Sequence, residues 1–156
     1  MCTMPISVSA ANINQSNCTI APPSVEVVSV QDSYCIEPLA PNVFAAIAKA
    51  GGNASTNAFF VIGSEYVVAA GAHMGKQAVI DLYAAIAART DKPVRYFILT
   101  HHHPGYTFVD FDFPPGQDLL VSWQTWKSID SESRFNSTST LFFNEGLTLK
   151  LGGVSV

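Results

Sequence analysis

Charged residues are scarce in this chain, at 13% of the sequence against roughly 25% in an average soluble domain. The few that are present leave a net charge of −4, so there is no basic field for phosphate backbones and we expect no nucleic-acid partner. The chain also lacks an apolar run near the ~20 residues of a membrane helix, so we expect no membrane partner. Hydrophobic residues nevertheless make up 48% of the 156 residues. That much apolar surface predicts burial by self-association, as a homodimer or larger homo-oligomer.

Cysteine is scarce as well, and its three residues, Cys2, Cys18 and Cys35, lie in the first quarter of the chain. Their odd number favours unpaired thiols, with a Cys18–Cys35 disulfide as the alternative. The first eleven residues lack both a cationic region and a continuous apolar stretch. They therefore show no clear signal peptide, and a cytoplasmic location is favoured.

The domain organisation follows from a change of composition near residue 25. Residues 1–24 are rich in Ser and Asn and end in two prolines, which predicts an irregular N-terminal arm. Residues 25–156 are enough for a single domain with one hydrophobic core. The chain stops inside a strand-like pattern, which predicts a truncated fold.

The hydrophobic pattern predicts strands that surround at least one helix. Val79, Leu82 and Ile86 recur at helical spacing among several alanines, so we expect a helix there that ends near Thr90. The apolar run Val94–Leu99 is typical of a central strand buried on both faces. A strand–helix–strand crossover at 65–99 indicates an α/β or α+β fold with a mixed sheet. The other predicted strands are 25–30, 43–48, 58–62, 66–70, 118–121, 141–143, 147–151 and 154–156, and a second helix is expected over 123–129, with Trp123 and Trp126 in the core.

A cluster of three histidines, His101, His102 and His103, follows directly on the central strand. Ligands commonly bind at the carboxyl ends of sheet strands. In an extended segment alternate residues share a side, so His101 and His103 are expected to face one pocket and His102 to face away. Imidazole suits zinc and similar metals. The spacing alone leaves a metal-free, hydrogen-bonded histidine cluster as an equal interpretation.

Six segments around the histidines follow one another in a distinctive order, namely Gly51–Asn53, Tyr66–Gly71, Thr90–Tyr96, Thr100–Tyr106, Phe111–Pro115 and Leu120–Trp126. This order of segments resembles the metallo-β-lactamase superfamily. The resemblance covers roughly residues 36–156, and it implies the N-terminal half of a four-layer αβ/βα sandwich that binds one or two zinc ions between its halves.

The metal-binding motif of that superfamily, Thr-His-x-His-x-Asp-His, is only partly present. The resemblance implies that His101 and His103 are two ligands of the first metal. Gly105 stands where the family has an aspartate that binds the second metal and handles protons, and Tyr106 stands where it has the next histidine. Ala69 stands where an aspartate normally supports the site. The family's later ligands would follow the last residue of this sequence.

A catalytic zinc usually needs three protein ligands, so a third must come from elsewhere. The resemblance places His73 near the site, although an exposed loop histidine is the simpler interpretation. Asp110 or Asp112 could also contribute, with a solvated turn as the favoured alternative, and a second chain is another source. Tyr106 could donate a hydrogen bond to a developing oxyanion, with a packed loop tyrosine as the simpler account.

The resemblance implies a metal-dependent hydrolase, with zinc as the expected cofactor and other divalent cations left open. Loss of the aspartate at Gly105 impairs proton transfer to a poor leaving group. Lactones, of the acyl-homoserine lactone type, or activated esters are therefore the expected substrates. The alternative is a catalytically dead remnant that acts as a binding or assembly module. A third interpretation is a fragment that is stable only because two copies cover each other's sheet.

Overall fold

The computed structural model describes residues 33–71, 75–103, 113–129 and 139–156. The predicted arm over 1–24 and the predicted strand over 25–30 lie outside this part of the chain, so the proposed domain boundary stays a prediction. Four candidate site residues also lie outside the described residues, namely His73, Tyr106, Asp110 and Asp112.

Seven strands and two helices make up the described part of the chain. Their order is β1 (Tyr34–Ala40), β2 (Val43–Ala48), β3 (Ala58–Ile62), β4 (Val67–Gly71), α1 (Lys76–Ala87), β5 (Val94–Leu99), β6 (Asp118–Ser122), α2 (Trp123–Ile129) and β7 (Ser139–Phe143). Neither helix is long and apolar enough to cross a membrane, as far as the described residues go.

The strands form one sheet whose spatial order is the same as their order in the chain. From β1 to β4 each strand is antiparallel to its neighbour, and from β4 to β7 each is parallel. The predicted mixed sheet and α+β class are therefore confirmed. The parallel half is the important one for a site, because parallel strands bring their carboxyl ends to one edge.

Helix α1 supplies the crossover between β4 and β5, and it packs against one face of the sheet. Its buried residues include Val79, Leu82 and Ile86, the apolar positions that predicted the helix. Phe60, Phe97 and Leu119 belong to the same core cluster from the sheet side. Burial of this stripe, rather than helix propensity alone, holds a helix of this length in place.

The opposite face of the sheet carries a second, smaller core. Strand residues alternate between faces, so Val61 and Val68 point away from α1 and pack with Leu151. The segment that supplies Leu151 folds back on itself, with Leu149 N–H donating to Val156 O at 2.7 Å and Val156 N–H to Leu149 O at 3.0 Å. This folded-back C-terminal segment covers part of the second face of the sheet.

Four sequence predictions need correction. The strands expected over 147–151 and 154–156 form only one isolated bridge, between Lys150 and Ser155, because these segments pack on a sheet face instead of joining a sheet edge. Strand β5 is central but incompletely covered, since Ile98 is only half-buried on the second face. The side chain of Trp123 is 45% exposed, so it is not a core residue.

The fourth correction concerns cysteine. Cys35 is disulfide-bonded, so the preference for unpaired thiols was wrong at this position. The remaining two cysteines lie outside the described residues.

Candidate functional site

The parallel strands end at one edge of the sheet, so the chain segments that follow them begin close together. Strands β4, β5 and β6 end at Gly71, Leu99 and Ser122, which lie at matched or neighbouring register positions. Just beyond β5, the backbone N–H of Thr100 donates to the carbonyl of Gly71 at 3.4 Å. The histidine segment 101–103 therefore emerges at the same edge as the start of α2.

His101 and His103 lie against each other at this edge. Their Nε2 atoms are 2.9 Å apart, and the ring centroids are 4.7 Å apart with the planes at 75°. The two imidazoles thus approach one point in space through the same ring nitrogen. Without a metal ion, one ring must donate its N–H to the other.

The surroundings of His101 favour its neutral form. Its side chain is exposed, and Thr100 Oγ1 lies 3.0 Å from its Nδ1. Although most of the residue is exposed, partial desolvation of the ring, with a smaller contribution from repulsion by His103, lowers the pKa of His101 from its usual value. A neutral imidazole is the form that binds a metal ion.

Among the described residues, fewer donor groups come together than a metal site requires. No group of three or more His, Cys, Asp or Glu side chains that could hold a metal occurs within residues 33–71, 75–103, 113–129 and 139–156. Ala69 is fully buried in β4, on the face that packs under α1, so its position supplies no ligand. The predicted third ligands, His73 and Asp110, and the predicted oxyanion donor Tyr106 lie outside the described residues.

An open cleft of about 310 Å³ adjoins the histidine pair. It is lined by His101, His102, Gln124, Thr125 and Ser128, the last three from α2. The sequence predictions did not include these α2 residues as site residues. The sequence feature that could have identified them is a set of polar residues at positions i, i+1 and i+4 of a helix that begins directly after a parallel strand.

A larger cavity, of about 600 Å³, lies at the opposite edge of the sheet, where β5 begins. Its lining includes Tyr83, Arg95 and Gln117. Arg95 is engaged with Asp118 at 2.6 Å and with Gly116 O at 2.7 Å. Because none of the candidate histidines lines this cavity, size alone does not identify the functional site.

Comparison with known proteins gives matches among solved structures only. No protein-family model matches the sequence, and no curated protein matches it. A diflavin flavoprotein A 5 fragment from Nostoc sp. matches with a TM-score of 0.59 and 17% identity over 78% of this chain. The metallo-β-lactamase from Hirschia baltica matches with a TM-score of 0.55 and 16% identity over 80% of this chain.

The flavodiiron protein from Giardia intestinalis matches with a TM-score of 0.56 and 12% identity, over 86% of this chain and 34% of its own. The chain spans 54% of the Nostoc fragment and 59% of the Hirschia protein, or about half of each. All three identities are low, so the likeness concerns the fold. It agrees with the half-length fold that the sequence predicts.

Proposed function

Because the chain has the metallo-β-lactamase fold over about half the length of such proteins, we propose that it is a metal-dependent hydrolase of lactones or activated esters. The metal ion is held by His101 and His103. The observation that carries this proposal is the approach of their two Nε2 atoms to 2.9 Å at the carboxyl end of β5.

The Nε2 atoms of His101 and His103 are suitable metal ligands, and the distance between them is close to that of two ligands on one metal ion. Two nitrogens that bind one tetrahedral zinc at about 2.05 Å lie roughly 3.3 Å apart. The observed separation of the Nε2 atoms of His101 and His103 is 2.9 Å, so a movement of roughly 0.4 Å suffices. Such a movement is within the range of ordinary side-chain adjustment. Proteins with this fold usually bind zinc or iron, and both metals accept imidazole ligands.

The Thr100 hydroxyl can accept a hydrogen bond from Nδ1–H of His101, in the tautomer that the proposal requires. When Nδ1–H of His101 donates to the Thr100 hydroxyl, the lone pair on Nε2 is left for the metal ion. His103 would present its own Nε2 lone pair to the same point in the neutral tautomer that carries its proton on Nδ1. The remaining ligands are proposed to be His73 and Asp110.

His101 and His103 would hold a cation that, when bound, would supply Lewis-acid polarisation of a carbonyl and an activated water near neutral pH. The chain's own residues decide which leaving groups can then depart. Glycine at position 105 cannot deliver a proton to an amine, so amides are poor substrates. The leaving group of a lactone is an alkoxide, and its departure depends less on that proton. Lactones of the acyl-homoserine type are the proposed substrates.

Metal content tests this proposal directly. We expect about one equivalent of zinc or another divalent cation in the purified protein and its loss in the His101→Ala/His103→Ala double variant. The matched control is His102→Ala, which removes a histidine from the same segment and should keep the metal. Loss of lactone hydrolysis in the double variant is the second requirement. Hydrolysis that persists in the double variant would overturn the proposal.

A second candidate function is a binding or assembly module without catalysis. It is favoured by the buried Ala69 in β4 and by the lack, among the described residues, of any group of three or more side chains that could hold a metal ion. Folded wild-type protein that contains no metal, and takes up none from zinc-containing buffer, would support this function over the first.

A further inference from the structure

The two edges of the described sheet differ in how they are protected against pairing with another chain. Strand β1, at one edge, contains Glu37 and Pro38, and its register with β2 is irregular between Pro38 and Ala40. A charged residue, a proline and an irregular register are three of the features by which natural edge strands avoid pairing. The β1 edge is therefore a poor partner for a further strand.

Strand β7, at the other edge, has none of these features. Its sequence contains no charged residue and no proline, and its register with β6 is continuous from Ser139 to Phe143. Leu141 is 45% exposed and Phe142 is 47% exposed. Because neighbouring residues of a strand point to opposite faces, exposed apolar side chains flank this edge on both faces. A strand added here would gain backbone hydrogen bonds and bury apolar surface on both faces.

The start of α2 enlarges the apolar surface on one face of this edge. The ring of Trp123 contacts that of Phe142, with 5.7 Å between the centroids and 86° between the planes. Trp126 also packs on Phe142, at 4.9 Å between centroids. Trp123 and Phe142 are each nearly half exposed, and exposed aromatic side chains are enriched at protein interfaces.

We propose that two copies of this chain form a closed dimer by antiparallel pairing of β7 with β7. The partner is a second copy because β7 is uncharged, so two identical strands do not repel each other when they lie side by side. The hydrophobic content of 48% also predicts self-association. The dimer is closed because the pairing uses the β7 edge of both copies and leaves only the two β1 edges outside. This inference goes beyond the proposed function and does not depend on a metal ion.

The symmetry of such a dimer determines its register. Two antiparallel edge strands that continue one sheet are related by a twofold axis perpendicular to the sheet, and residues directly opposite each other point to the same face. The axis must therefore pass between one residue and its own copy. Only Leu141 at the axis leaves all five residues of β7 paired. The Cβ atoms of the two Leu141 residues then lie roughly 5 Å apart, whereas the two Ser139 residues are about 14 Å apart.

Cross-linking of the full chain tests this register. Leu141→Cys should form a disulfide between two copies when it is treated with diamide, the oxidant that takes up the two thiol protons and two electrons. Ser139→Cys, in the same strand, and Leu39→Cys, in β1 with 64% of Leu39 exposed, are the matched controls. Neither should form more covalent dimer than the wild type, which measures the contribution of the native cysteines.

Two measurements on the wild type need no substitution. The mass from light scattering should rise with protein concentration to twice the chain mass of 16.7 kDa and then remain constant. Amide hydrogen exchange in β7 should become slower over the same concentration range, while exchange in β1 stays unchanged. Both effects follow from pairing that buries β7 and leaves β1 at the outer edges.

Each alternative outcome would overturn part or all of this inference. A chain that stays monomeric would overturn the dimer, and masses that grow beyond two copies would overturn its closure. Concentration-dependent protection of β1 instead of β7 would place the contact at the wrong edge. Equal cross-linking of Ser139→Cys and Leu141→Cys would overturn the register. Metal binding and lactone hydrolysis could be present or absent in every one of these cases, so the proposed function stands or falls separately.

Discussion

The hydroxyl oxygen of Thr100 lies 3.0 Å from Nδ1 of His101, so the ring is oriented from the side opposite to its contact with His103. Partners of this kind fix the orientation and tautomer of metal-binding histidines, and their removal typically weakens metal binding by about 10- to 100-fold. Thr100 is exposed, which places the expected effect at the lower end of that range.

Thr100→Val should therefore weaken zinc binding by about tenfold, since valine keeps the shape of threonine and removes the hydroxyl group. Thr100→Ser keeps the hydroxyl and should bind zinc nearly as the wild type does. Competition with a zinc-binding dye measures both constants. A Thr100→Val protein with wild-type zinc affinity would show that the contact has no role in metal binding.

Asp81 is a buried carboxylate in α1, with only 5% of its surface exposed. It accepts hydrogen bonds from the Ser33 hydroxyl and from Gln77 Nε2, the latter at 2.7 Å. Burial, followed by the nearby Asp81 carboxylate, raises the pKa of Tyr34. Asp81 thus links α1 to the residues at the start of β1.

Asp81→Ala should lower the free energy of unfolding by about 1–3 kcal/mol, because the buried Ser33 hydroxyl loses its acceptor. Asp91→Ala is the matched control, since Asp91 is exposed just beyond the same helix, and it should stay within about 0.5 kcal/mol of wild type. Urea denaturation monitored by circular dichroism gives both values. Similar losses in the two variants would contradict a specific role for Asp81.

Gly63 allows the C-terminal segment to approach the turn between β3 and β4. A Cβ atom at this position would lie 2.8 Å from the carbonyl oxygen of Leu151 and 2.9 Å from that of Tyr66. Gly63→Ala should therefore destabilise the protein by about 1–3 kcal/mol through overpacking. At Gly146 a Cβ would meet nothing within 4 Å, so Gly146→Ala is the control.

Thermal unfolding of the two glycine variants tests whether residues 147–156 cover the second face of the sheet in solution. A lower melting temperature for Gly63→Ala alone is the expected result. If Gly63→Ala melts with the wild type, the close contact between Gly63 and Leu151 does not persist in solution.

Strand β7 lies at an edge of the described sheet, with Leu141 45% exposed and Phe142 47% exposed. Exposed apolar edge strands favour pairing with a second chain. We propose that this edge contributes to the self-association that the composition predicts, and we expect Leu141→Lys to reduce it. Leu39→Lys at the other edge, in β1, is the control with equal added charge.

Size-exclusion chromatography with light scattering measures this effect across a range of protein concentrations. The expected result is a lower average mass for Leu141→Lys than for Leu39→Lys at the same concentration. A wild-type protein that is strictly monomeric would contradict the association itself. Equal masses in the two variants would exclude β7 as the contact.

Several elements could be predicted because their signal is local. The helical spacing of Val79, Leu82 and Ile86 directly indicates the buried face of α1. The nearly uninterrupted apolar run Val94–Leu99 indicates a strand with a neighbour on each side. The sequence analysis did not predict strand β1, which contains Pro38. The structure places it at the sheet edge, with irregular register between Pro38 and Ala40, where proline is tolerated.

The candidate site could be predicted only in part, because only some of its features depend on local sequence. The alternation of side chains along an extended segment was enough to predict that His101 and His103 share a side. The role of Thr100 depends on a rotamer, and the cleft residue Gln124 depends on the docking of α2 beside the histidines. Neither is encoded in a short sequence window.

The sequence by itself determined the strand–helix–strand order, the mixed sheet and the histidine pair, since these depend on periodicity and on the covalent alternation of the backbone. Tertiary structure alone decided which surfaces meet: Leu151 against the second face of the sheet, Asp81 beneath the start of β1, and Gln124 beside His101. Such contacts join residues that are far apart in the chain, and their geometry is fixed by packing and burial summed over the whole sheet.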